Sequence, residues 1–339
     1  VTLGGLNVGA GNFNLSISAP ENYAVTVSSP VDILSTGDLT ITSTNKSSAS
    51  FVEFSGGLNA TAPSAVKLAA VVMTDSTPIQ LSHAMHFGDE TQAIDLWTGN
   101  PGQGNFPGAN ITLASLDTGN GALVYHGGST GSLTVQGDAS IGQSGVSTLG
   151  EGLRGTGIKG WGDLHVMGNA TVSGNVSDLD NATVAIDGNV SIDGEANVSG
   201  NIAVDDNLSF HGDATLVGII DAHGFHNYGN NVTLAGNTDC AGYSATFTNG
   251  VLGGGNDLTI NFTQAELNGF ANVANFTSLG AADLNGTFTT SGDQNYADNV
   301  TLTGDTGFAG NRAIFTNGVL GGNNSLTIDF AQPSKLDGL

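Results

Sequence analysis

The sequence predicts an all-β chain wound as a right-handed parallel β-solenoid (a parallel β-helix) with about 20–23 residues per coil. Three observations predict it. Between Gly168 and Gly218 a turn residue followed by an apolar–polar–apolar triplet keeps returning: Asn169-Ala-Thr-Val, Asn175-Val-Ser, Asn181-Ala-Thr-Val, Asn189-Val-Ser-Ile, Asn197-Val-Ser, Asn207-Leu-Ser-Phe. A helix of 3.6-residue period cannot carry that pattern, whereas short strands between Asx and Gly turns can. Second, the pattern re-enters its own phase: Asn169 answers to Asn189, Asn181 to Asn201 and Asn175 to Asn197, a circuit that fits three strands and three turns per coil. Finally, His226–Phe262 recurs at Gln294–Phe330, at an offset of 68 and without a gap, with 24 identities in 37 positions. That offset reads as three coils of about 22 to 23 residues, so the two copies are expected to stack in line. The right hand follows from strand twist.

In chain order, residues 1–50 read as N-terminal solenoid coils, through Leu6–Val8, Phe13–Ile17, Tyr23–Val27 and Asp38-Leu-Thr-Ile41. Over 51–108 the Asx punctuation thins and four of the seven prolines appear (Pro63, Pro78, Pro101, Pro107). Irregular, wide coils with an insertion are expected there, Gly99–Gly108 being a loop. Regular solenoid is expected over 109–339, with Gly150–Gly162 as a Gly-rich loop or hinge. Within the repeat, Val232, Leu234, Phe247, Val251, Leu252, Leu258, Ile260 and Phe262 keep their type and alternate with Thr, Asn and Gly, as a strand with one dry and one wet face requires. Polar partners drift: Tyr243 becomes Asn311 and Ser244 becomes Arg312. Constancy at apolar positions and drift at polar ones marks a scaffold.

Composition narrows the function. The chain has 52 glycines but 7 prolines, and 39% apolar residues, enough for a narrow continuous core. It has 24 Asp and 6 Glu, and Asp is the turn former of the two, so much of the −24 net charge is turn chemistry. The six cations (Lys46, Lys67, Arg154, Lys159, Arg312, Lys335) make no phosphate-binding patch, which argues against nucleic acid and anionic membranes as partners. No run approaches the roughly 18 apolar residues of a membrane span. No signal peptide is visible ahead of Val1, so the chain reads as a mature form or a slice. The only cysteine, Cys240, aligns with Phe308 of the second copy and reads as a buried small hydrophobe, with a reactive thiol as the alternative.

Candidate chemistry is sparse. His83 and His86 lie near Asp89 and Glu90, but residues three apart on a strand point to opposite faces, which spoils joint metal coordination. The Asp-rich turns (Asp178, Asp180, Asp187, Asp193, Asp205, Asp206) and Gly253–Asp257 are either solvated turns or structural calcium sites. No other cofactor is indicated. Sixteen Asn-x-Ser/Thr triplets occur. They follow from the repeat itself, or they mark glycosylation, for which Asn169, Asn181, Asn189, Asn231 and Asn299 are the candidate sites. No pair of carboxylates stands apart from the turn pattern, so no catalytic residue is assigned. A β-helical polysaccharide-degrading enzyme is the least favoured alternative.

The units Asn-Tyr-x-x-Asn-Val-Thr-Leu-x-Gly-x-Thr, Ala-x-Phe-Thr-Asn-Gly-Val-Leu-Gly-Gly and Asn-x-Leu-Thr-Ile-x-Phe, over 226–262 and 294–330, resemble the repeats of filamentous-haemagglutinin-type bacterial surface proteins. The match is weaker over 109–225 and poor over 51–107, and only Gly99-Asn-Pro-Gly stands near that family's Asn-Pro-Asn-type motif. The resemblance implies a right-handed β-helix in a secreted adhesin, located at the cell surface or outside the cell. The expected function is a non-catalytic structural protein. Val1-Thr-Leu and Leu326–Phe330 carry no capping helix, so end-to-end self-association into a filament or sheath is expected. The alternative is an adhesin fragment that binds cell-surface glycans.

Overall fold

The computed structural model describes residues 1–43, 50–86, 94–98, 108–119, 123–127, 130–141, 158–161, 163–173 and 184–336. Among them every regular element is a strand, and the strands stack in parallel as a β-solenoid of about 13 turns. The chain divides into two compact units: Val1–Asn175 with Asp180–Val190, and Ser191–Leu339 with Val176–Leu179.

Each unit is three-sided, because each coil contributes three short strands before it returns to its starting column. In the first unit one interior column runs Val52, Val72, Leu96, Tyr125. A second runs Val31, Leu58, Ile79, Ile111, Leu133, Leu164. A third runs Leu39, Val66, Ala84, Leu116, Ala139, Ala170. All of these side chains are buried. Coil length varies widely. Leu58 returns already at Ile79, but Ile79 returns only at Ile111, half as far again. Leu123 is in register with Ile158 and Leu133 with Leu164.

In the second unit the coils are short and even. The first face runs Ala196, Ala214, Val232, Val251, Phe270, Phe288, Phe308, in steps of nearly constant length. The second runs Ile202, Ile220, Cys240, Ile260, Ser278, Tyr296, Phe315. The third runs Phe210, Tyr228, Phe247, Leu267, Leu284, Leu302. Aromatic rings stack along the interior: Tyr228 on Phe247 at 4.4 Å and 10°, Tyr296 on Phe315 at 4.7 Å and 4°. Such parallel contacts add to the burial energy that fills a core only one coil wide.

Val232, Leu234, Phe247, Leu258 and Ile260 all face this interior, as the alternation predicts. The in-line stacking of the two copies does not hold. Val232 lies on the first face and Val300 on the third, in register with Ala282. The reason is arithmetic. A strand with its corner takes about six residues in these coils, so the repeat offset covers three full coils and two faces more. From Val232 three coils lead through Val251 and Phe270 to Phe288, and two further faces lead through Gln294 to Val300. The repeat therefore re-enters one face away from where it began. Leu252 is the other correction. It is 51% exposed, and its counterpart Leu320 is 63% exposed, so both point outward despite their apolar type.

Candidate functional site

The corners of the second unit are built from side-chain oxygens that hold one coil to the next. Asn237 Oδ1 accepts the Asp257 N–H at 3.0 Å, and Asp257 Oδ1 accepts both the N–H and Nδ2–H of Asn275 at 2.9 Å. Asn275 Oδ1 accepts the Asp293 N–H at 3.0 Å, and Asp293 Oδ1 accepts from Asn311 Nδ2 at 2.8 Å. This is a continuous staircase along one edge. The same device recurs where Asp213 accepts from Asn231, and in the first unit where Asp163 accepts from Asn189. Asx side chains suit this role because they are short enough to reach a backbone N–H where the strand ladder breaks. The Asp293 carboxyl is held below its ordinary range by the Asn311 bond first and the Arg312 guanidinium second. Asp38 is likewise lowered, by hydrogen bonds from Lys67 and Ser64.

The candidate glycosylation sites fall on these corners. Asn231 and Asn299 are exposed, and so is Asn169, whose N–H donates to Asp138 at 2.8 Å. Asn189 is half-buried and gives Nδ2–H to Asp163 at 2.9 Å. Asn231 gives Nδ2–H to Asp213 at 3.0 Å. Since Nδ2 carries two hydrogens, a sugar on it leaves one free to keep the corner bond. Asn181 lies outside the described residues.

Among the described residues the metal candidates do not converge. His83 pairs through Nδ1 with Ser115 on the next coil. His86 closes the same strand, Ile79–His86, in register with Leu68, and Asp89 and Glu90 lie outside the described residues. Among the Asp-rich turns, Asp193 faces His211 at 2.9 Å and Asp205 faces His223 at 3.4 Å. Asp206 holds the Gly224 N–H by its backbone carbonyl at 2.8 Å. Asp187 sits at the end of the strand Val184–Asp187, and Asp178 and Asp180 lie outside the described residues. Over Gly253–Asp257, Gly254 and Gly255 take left-handed backbone, and the Asn256 amide donates to the Leu234 and Gly253 carbonyls. Among the described residues no group of three or more His, Cys, Asp or Glu is placed to hold a metal ion.

Cys240 is buried, as its alignment with Phe308 predicts, and receives a hydrogen bond from the Tyr228 hydroxyl at 3.5 Å. Burial pushes its thiol up to about 12, where it is neither nucleophile nor ready ligand. Tyr228 also touches His226 Nδ1 at 3.1 Å, and burial lowers the His226 ring to about 4. In the second copy Gln294 stands where His226 does, accepting from the Tyr296 hydroxyl at 3.0 Å and donating to the Phe288 and Ala309 carbonyls. Both side chains are buried in the interior.

Two surface features escape the sequence pattern. An open groove of about 670 Å³ runs over the first face of the second unit, floored by Thr233, Leu252 and Ala271 and edged by Asn231, Asn249 and Asn268. At another corner of this unit, the exposed rings of Phe225 and Tyr243 meet edge to face at 5.7 Å. Tyr243 is visible in the sequence as a drifting position, and its partner across the coil emerges only from the register. Comparison with protein-family models, curated proteins and solved structures gave no significant match.

Proposed function

We propose that this chain is a non-catalytic structural protein of the cell surface or extracellular space, an adhesin-like β-solenoid that assembles end to end. The observation that carries the reading is the employment of its acidic side chains. Asp138, Asp163, Asp213, Asp257 and Asp293 each bind the coil above or below, so the carboxylates serve as corner staples. The resemblance of 226–262 and 294–330 to filamentous-haemagglutinin-type repeats supports the surface location. The parallel ladder supports assembly: its rungs tolerate residues as different as Val251, Phe270 and Phe308, so specificity lies in the backbone, and a rung from another copy offers the same donors and acceptors. Head-to-tail pairing of this kind does not close and gives a filament. A charge of −24 per copy makes lateral association sensitive to salt and divalent cations.

Negative-stain electron microscopy at increasing protein concentration, with and without calcium, is the test. Filaments are expected, and a proline at Thr2 or Leu326, which removes a ladder donor, should shorten them. Particles that stay single under all conditions overturn the assembly. A glycan-binding adhesin is the second reading, favoured by the exposed aromatic corner. In either case the exposed Asn231, Asn299 and Asn169 are proposed carriers of sugar. Intact-mass measurement of protein from its native source should then exceed the polypeptide mass by whole hexose or larger units, and a bare mass rejects glycosylation.

A further inference from the structure

The two copies of the repeat carry one corner in two chemistries. In the second copy it is polar: Asn311 Nδ2 donates to Asp293 Oδ1 at 2.8 Å, and the Arg312 guanidinium pairs with the same carboxylate. In the first copy Phe225, Tyr243 and Ser244 occupy the equivalent positions. The register is the same, Phe225 opposite Ser244 as Asp293 is opposite Arg312. The repeat thus forms its equivalent corner, one face away, without aromatic residues. Yet Phe225 and Tyr243 are 56% and 57% exposed. Two large rings held in water at a site where the fold accepts polar groups point to a ligand.

We propose that the Phe225–Tyr243 corner binds a neutral sugar ring, a proposal that deepens the adhesin reading and rests on it. Three features select this ligand. Two rings are far too small for a stable protein interface, which needs about 800 Å² per partner, but the face of one ring matches the apolar C–H face of one pyranose while the other stands nearly perpendicular beside it. Polar partners stand beside them. His223, two residues before Phe225, faces Asp205 at 3.4 Å with both side chains largely exposed, a donor–acceptor couple suited to sugar hydroxyls. Asn207 Oδ1 holds the Phe225 N–H at 2.8 Å, which fixes the platform. Charge completes the selection: 30 acidic against 6 basic residues disfavour anionic sugars and phosphates. An organic cation is the other ligand that aromatic rings attract. Here the Asp205 carboxylate already faces an imidazole, which favours a hydroxylated neutral ligand.

The experiment screens the full chain on an array of neutral oligosaccharides and measures the best binder by titration. The variant Phe225→Asp/Tyr243→Asn introduces the Asp–Asn pair of the second copy's corner, and Tyr243→Asn alone serves as a milder change. Both should keep the unmodified thermal midpoint and weaken binding about tenfold or more, equivalent to about 1.4 kcal/mol. Undiminished binding by the variants overturns the site while the adhesin reading stands. A full chain that binds no neutral saccharide overturns both. Binding of tetramethylammonium at this corner in place of sugar overturns the ligand assignment.

Discussion

His226 is a titratable ring packed where water does not reach, between Tyr228 and Phe262. Desolvation lowers it from 6.5 to about 4, with the Ala241 and Ala222 carbonyls opposing the shift. A depressed base favours the neutral form in the fold. Its contribution to stability is therefore complete above pH 6.5, shrinks as pH falls toward 4, and is gone below that. The full excursion is on the order of 3 kcal/mol. Exposed carboxylates titrate in part of this window, so the informative quantity is a difference. His226→Gln, the residue the second copy uses, should flatten the loss of stability between pH 6.5 and 4, measured by urea unfolding at several pH values. Equal slopes for both proteins would show that the ring titrates freely. Sequence alone places His226 and Gln294 only at the edge of the repeat. Their burial depends on the packing of Tyr228 with Cys240 in one copy and of Tyr296 with Phe308 in the other, which no local pattern encodes.

At the scale of strands and corners, much of the repeat's constancy now has a cause. Thr238 and Thr306 are buried, and each hydroxyl caps two carbonyls, Leu216 and Gly236 in one copy and Leu284 and Gly304 in the other. Asn256 and Asn324 reach the Leu234 and Leu302 carbonyls at 3.0 and 2.7 Å. Gly250 and Gly318 hold φ of 79° and 94°, which a residue with a Cβ resists. The Asx turns and the alternation were legible because they are local. The face on which each strand lies was not, because corners differ slightly in length: the step from Phe270 to Phe288 is shorter than those from Val251 to Phe270 and from Phe288 to Phe308. The outward Leu252 and Leu320 misled for a related reason, since apolar type alone does not say which face a two-residue strand presents. The staircase makes its own prediction. Asp257→Ala removes the acceptor for both Asn275 donors and should cost about 1 kcal/mol in urea unfolding, the bonds being partly solvated. Asp257→Asn, which keeps an acceptor, should cost less. An alanine variant as stable as the unmodified chain would remove the staircase from the account of what holds the coils.

At the scale of the whole molecule, the fold class was readable because a parallel solenoid is a one-dimensional stack whose coils repeat the same local problem. Its surface chemistry was not, because outward positions are free to vary and only the register says which of them meet. The central claim is therefore the register itself: a three-sided solenoid in which Thr233 lies beside Leu252, and in which Thr301, the counterpart of Thr233 in the second copy, lies on another face beside Leu320. Paired cysteines test it. Register partners on adjacent parallel strands lie within disulfide reach. In a Cys240→Ser background, Thr233→Cys with Leu252→Cys should oxidise to one intramolecular bridge, seen by intact mass as the loss of two hydrogens and by reductant-dependent mobility. Thr233→Cys with Thr301→Cys, positions more than three coils apart, serves as the unbridged control and should stay reduced under the same conditions. A bridge in the second pair and none in the first would contradict the structure described above.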